Sequence, residues 1–107
     1  MLKKKERLTR DLFNRSFSVG KRYHSPALQL IVDANGSFHG SVVVGKKIYK
    51  KAVDRNKLRR QLYAVLYTFH KSNQTEKTYI FIAKPAIKNM TRKAFVTELQ
   101  EMLQKTL

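Results

Sequence analysis

The sequence predicts an α+β fold, a two-layer sandwich in which helices pack on a mostly antiparallel sheet. Three observations carry that expectation. Apolar residues recur at helical spacing over three stretches and at strand spacing over three or four others. Their order reads helix, two or three strands, helix, strand, helix. The chain has 107 residues and 42% apolar content, which suits one domain around a single core, with no internal repeat or linker.

Residues 1–8 form a basic arm ahead of the first element. Thr9 is placed as an N-cap, with Leu8 and Phe13 positioned to close a hydrophobic staple. A short helix then runs to about Val19, and Gly20 is placed as its left-handed stop. Phe13 and Phe17 lie one turn apart, on a different side from Leu12, Ser16 and Val19. That helix therefore has two apolar sides, and both need partners. Lys21–His24 fits a short edge strand. From Ala27 to Ala34 the residues alternate, with Leu28, Leu30 and Val32 on one face and Gln29, Ile31 and Asp33 on the other. Asn35-Gly36 is the strongest hairpin signal in the chain and predicts a return strand over Ser37–Val44.

Leu58, Leu62, Val65, Leu66 and Phe69 then mark one face of a long helix. Asp54 is placed to cap its start. At about 100° per residue, Asn56, Arg60, Tyr63 and Tyr67 form a column on the opposite face. His70–Lys77 reads as a polar connection. Thr78–Ala83 is continuously apolar and β-branched, as a central strand requires, and Lys84-Pro85 stops it. Thr91 caps a last helix, with Met90 and Phe95 as a second staple and a core face of Phe95, Leu99, Met102 and Leu103.

Charge gives the first functional signal. The chain carries 23 basic and 7 acidic side chains, a net charge of +16. Between Lys46 and Arg60 there are eight Lys or Arg residues and one acid, Asp54. A merely solvated helix face would intersperse Glu with Lys for local pairing. This stretch does not, and so much like charge opposes folding unless counter-charge comes from outside. A surface of this kind suits the phosphates of a nucleic acid. No apolar run approaches the roughly 20 residues that span a bilayer. The N-terminus lacks the apolar segment of a secretory signal. The absence of cysteine excludes disulfides and thiolate metal sites and suits a reducing cytoplasm.

A catalytic set is missing. Gly40 to Lys46 matches the GxxxxGK of a phosphate-binding loop, but Lys47 follows where Ser or Thr should reach Mg²⁺, and Ser41–Val44 reads as strand. His24, His39 and His70 lie on separate elements, and the acids form no pair spaced for acid–base or metal chemistry. No strand–turn–helix elbow activates a serine. Any reactive centre must come from a partner.

The central stretch, Gly45-Lys46-Lys47-Ile48 followed by Arg55-Asn56-Lys57-Leu58-Arg59-Arg60, resembles the protein component of bacterial ribonuclease P. That family carries an S-K-K-hydrophobic loop and an R-N-R-hydrophobic-(K/R)-R helix start. The likeness covers almost the whole chain. Leu2–Arg10 is similar to the family's basic arm, Phe13-x-x-x-Phe17-x-x-Gly20 to its first helix, Tyr79–Ala83 to its last strand and Met90-Thr91 to the start of its last helix. Four positions depart from the pattern: Lys57 replaces the second Arg, Gly45 a Ser, Tyr63 a helix arginine and Ile31 a Tyr.

The resemblance implies an αβββαβα topology of the ribosomal S5 domain 2 type, with a four-stranded sheet and a left-handed β–helix–β crossover. It also implies a function: a subunit without catalytic residues that helps a catalytic RNA remove the 5′ leader of precursor tRNA. Mg²⁺ would be held by that RNA and none by the protein alone. Lys46, Lys47, Arg55, Asn56, Lys57, Arg59 and Arg60 would dock on the RNA. Phe13 and Phe17 would face the leader in a cleft between the first helix and the sheet. The implied partners are ribonuclease P RNA and precursor tRNA, with no membrane and no small-molecule substrate. Two other classes fit the composition. A structural RNA-binding protein of ribosomal type would bury Phe13 and Phe17, whereas a leader cleft would leave them partly exposed. A DNA-reading helix would need a preceding helix and tight turn, where this chain has a strand and a long loop.

Overall fold

The computed structural model describes residues 8–34 and 36–107, so the arm expected over residues 1–8 lies almost wholly outside the described residues. The elements are α1 (Arg10–Val19), β1 (Lys21–His24), β2 (Leu28–Asp33), β3 (His39–Val43), α2 (Ala52–Asn73), β4 (Thr78–Ala83), a 3-10 helix (Pro85–Asn89) and α3 (Arg92–Gln104). Thr9 caps α1 by accepting the Leu12 N–H, and Thr91 caps α3 by accepting the Ala94 N–H at 3.1 Å.

The four strands form one sheet in the order β1-β2-β4-β3. β2 pairs antiparallel with β1 and β4, whereas β3 pairs in parallel with β4, so the sheet is mixed rather than mostly antiparallel. This corrects the hairpin expected at Asn35-Gly36. Gly36 does adopt the left-handed backbone that the turn signal demands, with φ 85°. Yet the strands on either side of that turn are not neighbours, because β4 lies between them. The apolar run of β4 needs a strand on each edge to pair its backbone groups, and it takes that central place.

Register decides which side chains share a face. Leu28, Leu30 and Val32 lie level with Ala83, Phe81 and Tyr79, and all six are buried in the main core with Val42. Leu58, Leu62, Leu66 and Phe69 of α2 and Phe95, Leu99, Met102 and Leu103 of α3 complete that core. Sheet and α2/α3 thus form the two principal layers. The other face of the sheet carries Gln29, Ile31 and Asp33 with Ile82, Ile80 and Thr78, and α1 lies against it.

Gly20 is needed for space rather than for a left-handed backbone, since its φ is −68°. A Cβ there would stand 2.5 Å from Ile31 Cγ2 and 2.6 Å from the Ser16 carbonyl oxygen. Two ends of α2 also differ from expectation. Asp54 sits in the first turn and Lys51 holds the cap position without a side-chain bond. At the other end the helix runs through His70 to Asn73, and Gln74 closes it in the left-handed region at φ 46°. The segment expected as a polar connection therefore begins as helix. Lys71, Ser72 and Asn73 are exposed on its last turn, which accounts for their polarity.

Candidate nucleic-acid interface

The first candidate surface is built on α1. Phe13 is half-buried and Phe17 remains 39% exposed, with their rings stacked at 5.9 Å and an interplanar angle of 22°. Arg22 extends this stack. Its guanidinium lies 4.6 Å from the centre of the Phe17 ring and donates to the Phe17 carbonyl at 2.7 Å. The register places Arg22 level with Ile31, on the sheet face that carries α1. The result is two aromatic rings and a flat cation in series, a form suited to stacking on unpaired bases.

Ser16 explains how α1 comes so near the sheet. It is fully buried, and its hydroxyl donates to Asp33 Oδ2 at 3.0 Å. Ile31 is fully buried beside Gly20, so it supports this contact and offers no open surface of its own. Beyond α1 the same sheet face stays partly open. Val43 is 37% exposed there, and Ile82 is half-buried. An apolar hollow of about 390 Å³ continues from these two residues to Gly45, Lys46, Lys47 and Pro85.

The second surface is the loop before α2 and the first turns of that helix. Lys46 and Lys47 are exposed at a turn closed by the Ile48 N–H to Gly45 carbonyl bond, with Ile48 itself buried as the anchor. Arg55 turns back and donates to the carbonyls of Tyr49 at 3.0 Å and Lys50 at 2.6 Å. It holds the loop against the helix. Arg59 donates to the Asn56 side-chain oxygen, which fixes both on one part of the helix surface. Arg60 and Lys57 are exposed. Lys57 and Arg59 stand about 200° apart around the helix, so the predicted residues divide between its two sides. Arg59 is on the β3 side, where the Tyr63 hydroxyl accepts the Val42 N–H at 3.2 Å. Lys57 faces α3, where it lines a pocket with Asp54 and Arg92.

Arg22, Tyr49, Lys88 and Arg92 belong to these surfaces but were not singled out from sequence. Arg22 sits in a short exposed strand without periodicity. Lys88 and Arg92 are far along the chain and reach the basic loop only through the packing of the 3-10 helix and α3. Lys88 Nζ lies 5.7 Å from the centre of the Tyr49 ring. His24, His39 and His70 lie on β1, β3 and α2, and the His70 ring is stacked on Phe38 at 3.6 Å. Among the described residues, no cluster of His, Cys, Asp or Glu suited to a metal is assembled. No helix among the described residues is long and apolar enough to cross a membrane.

Fold and surfaces together define a small basic RNA-binding protein with separate aromatic and cationic faces. The family model for ribonuclease P matches residues 2–107, and the chain belongs to that family. A ribonuclease P protein component from Microcystis aeruginosa is 33% identical over 99 residues, covering 87% of this chain and 82% of the relative. Among solved structures, a mutant of the Staphylococcus aureus RNase P protein superposes with a TM-score of 0.84 at 27% identity, covering 96% of this chain and 89% of that one. The RNase P protein from Thermotoga maritima shares the fold, with a TM-score of 0.77 at 22% identity over 94% of this chain and 96% of that one. The chain is therefore an accessory protein subunit of an RNA-based endoribonuclease that acts in tRNA 5′ processing, and it associates with ribonuclease P RNA.

Proposed function

We propose that the two surfaces divide the work of this subunit. The loop and helix start, through Lys46, Lys47, Arg55, Asn56, Lys57, Arg59 and Arg60, dock on the catalytic RNA. The α1 face, through Phe13 and Phe17, holds the single-stranded 5′ leader of precursor tRNA. The observation that carries this reading is the partial exposure of a stacked pair of phenylalanines beside an open sheet face. A structural RNA-binding protein gains nothing from leaving such rings in water, because burying them would add to stability. Unpaired bases stack on them without sequence demands, and nearby cations follow the backbone.

Mg²⁺ is held by the RNA. The protein neutralises leader phosphates and so lowers the Mg²⁺ needed to bind precursor. The work takes place in the cytoplasm, in one RNA-binding domain whose basic arm adds charge at the N-terminus. The test is equilibrium binding of precursor and mature tRNA to the assembled ribonucleoprotein. Phe17→Ala should weaken precursor binding by about 1–3 kcal/mol, the range for loss of one stacked base, and leave mature tRNA unaffected. An equal loss for both would make Phe17 a packing residue and end the leader assignment.

A further inference from the structure

The pocket between the start of α2, the 3-10 helix and the start of α3 borders the cationic surface on its α3 side and shares Lys57 with it. It encloses about 240 Å³, with Ile87 and Phe95 on its floor and Tyr49, Asp54, Lys57 and Arg92 around it. That volume admits one flat base and excludes a duplex. Its contents are unusual in one respect. Asp54 is the single acid of the Lys46–Arg60 stretch and is half-buried. Among the described residues, its carboxylate takes no hydrogen bond and no ion pair, although Lys57 and Arg92 share the pocket. Favourable interaction with the helix dipole accounts for an acid in the first turn. It does not account for an aromatic wall, an apolar floor and two cations gathered around that acid.

We infer that this pocket takes one unpaired guanine of the partner RNA. A carboxylate only accepts hydrogen bonds, and it accepts two side by side. Guanine alone presents two adjacent N–H donors, N1–H and the N2 amino group, on its Watson–Crick edge. Adenine and cytosine set one amino donor beside an acceptor, and uracil sets one N–H between two carbonyls that a carboxylate repels. Single-stranded RNA is recognised by stacking together with such edge contacts. The floor and Tyr49 supply the apolar bed, and Lys57 and Arg92 receive the flanking phosphates. Position supports this too, since Lys57 and Asp54 are on the α3 side of the helix whose other side carries Arg59. The RNA then grips α2 from both sides. The inference rests on the reading of this chain as an RNA-binding subunit, and deepens it by naming a base.

The experiment measures affinity of the full chain for short oligouridines carrying one central guanosine, inosine or adenosine. Guanosine should bind about tenfold more tightly than adenosine, the discrimination expected of one bidentate contact. Inosine, which lacks the N2 amino group, should fall between. Asp54→Asn should abolish the order while retaining affinity for oligouridine, and its melting temperature reports whether it folds. Equal affinity for the three oligonucleotides in the unsubstituted protein, or the same order in a folded Asp54→Asn, overturns the assignment. The first comparison needs no variant, so it decides even if Asp54→Asn does not fold. Neither outcome depends on precursor cleavage, so the subunit's role and this pocket fail separately.

Discussion

Arg55 and Arg22 are both cations whose guanidinium groups are tied to backbone carbonyls, and both show how a single residue prepares a surface. Arg55 joins the lysine loop to the helix through two carbonyls, which fixes where Lys46 and Lys47 stand relative to Arg60. Arg22 is pinned to the last turn of α1 and keeps a cation against the Phe17 ring. Phe13 and Phe17 were legible from sequence because they repeat at one helical turn on a side not used by Ser16. Arg22 was not, because its place depends on a carbonyl five residues earlier and on the fold of an edge strand. Gly20 was legible as a stop, for the wrong reason: the constraint is the approach of Ile31, which no local pattern reveals. Gly20→Ala is expected to destabilise the domain by about 1–3 kcal/mol through overpacking against backbone, despite the better intrinsic propensity of alanine. Denaturant unfolding measures it, and an unchanged midpoint would show that α1 can lift from the sheet without cost.

At the scale of elements, α2 spans about 33 Å at 1.5 Å per residue. Its apolar face was readable, since Leu58, Leu62, Leu66 and Phe69 are buried, while Val65 at the margin of that face is only partly buried against them. Its boundaries were less so, because the cap at Lys51 uses no side chain and the close at Gln74 uses a residue with no special propensity for it. Strand pairing was the least legible feature. Alternation and turn chemistry describe each strand locally, whereas the insertion of β4 between β2 and β3 is decided by burial of a segment some forty positions away. Charge on α2 predicts a separable effect. Arg59→Ala and Arg60→Ala should each weaken binding to the catalytic RNA and reduce the dependence of log affinity on log salt by about 0.7–0.9, one phosphate contact apiece. Unchanged affinity and slope in both would remove this face from the docking surface.

The whole molecule carries +16 on 107 residues, and this charge governs its stability as well as its binding. Self-repulsion opposes the compact state, and an anion that binds the native surface relieves it. Polyanions or sulfate should therefore raise the melting temperature, with a bound anion at 100 times its dissociation constant adding about 2.7 kcal/mol. Chloride at equal ionic strength should do less. Equal effects of both would indicate simple screening and no anion site. The principal layers were legible because they rest on periodicity, and the basic stretch before and within the first turns of α2 because it rests on composition. The function class rested on the likeness of motifs. The pocket around Asp54 was not legible, since it assembles from three segments that only packing brings together.

The most direct test of the central claim is cleavage of a precursor tRNA by the cognate ribonuclease P RNA at low Mg²⁺, with and without this chain. The account predicts that the protein restores cleavage at the mature 5′ end, and that the gain shrinks when the leader is shortened to a nucleotide or two. Cleavage that stays absent with the protein bound, or a gain indifferent to leader length, would contradict it.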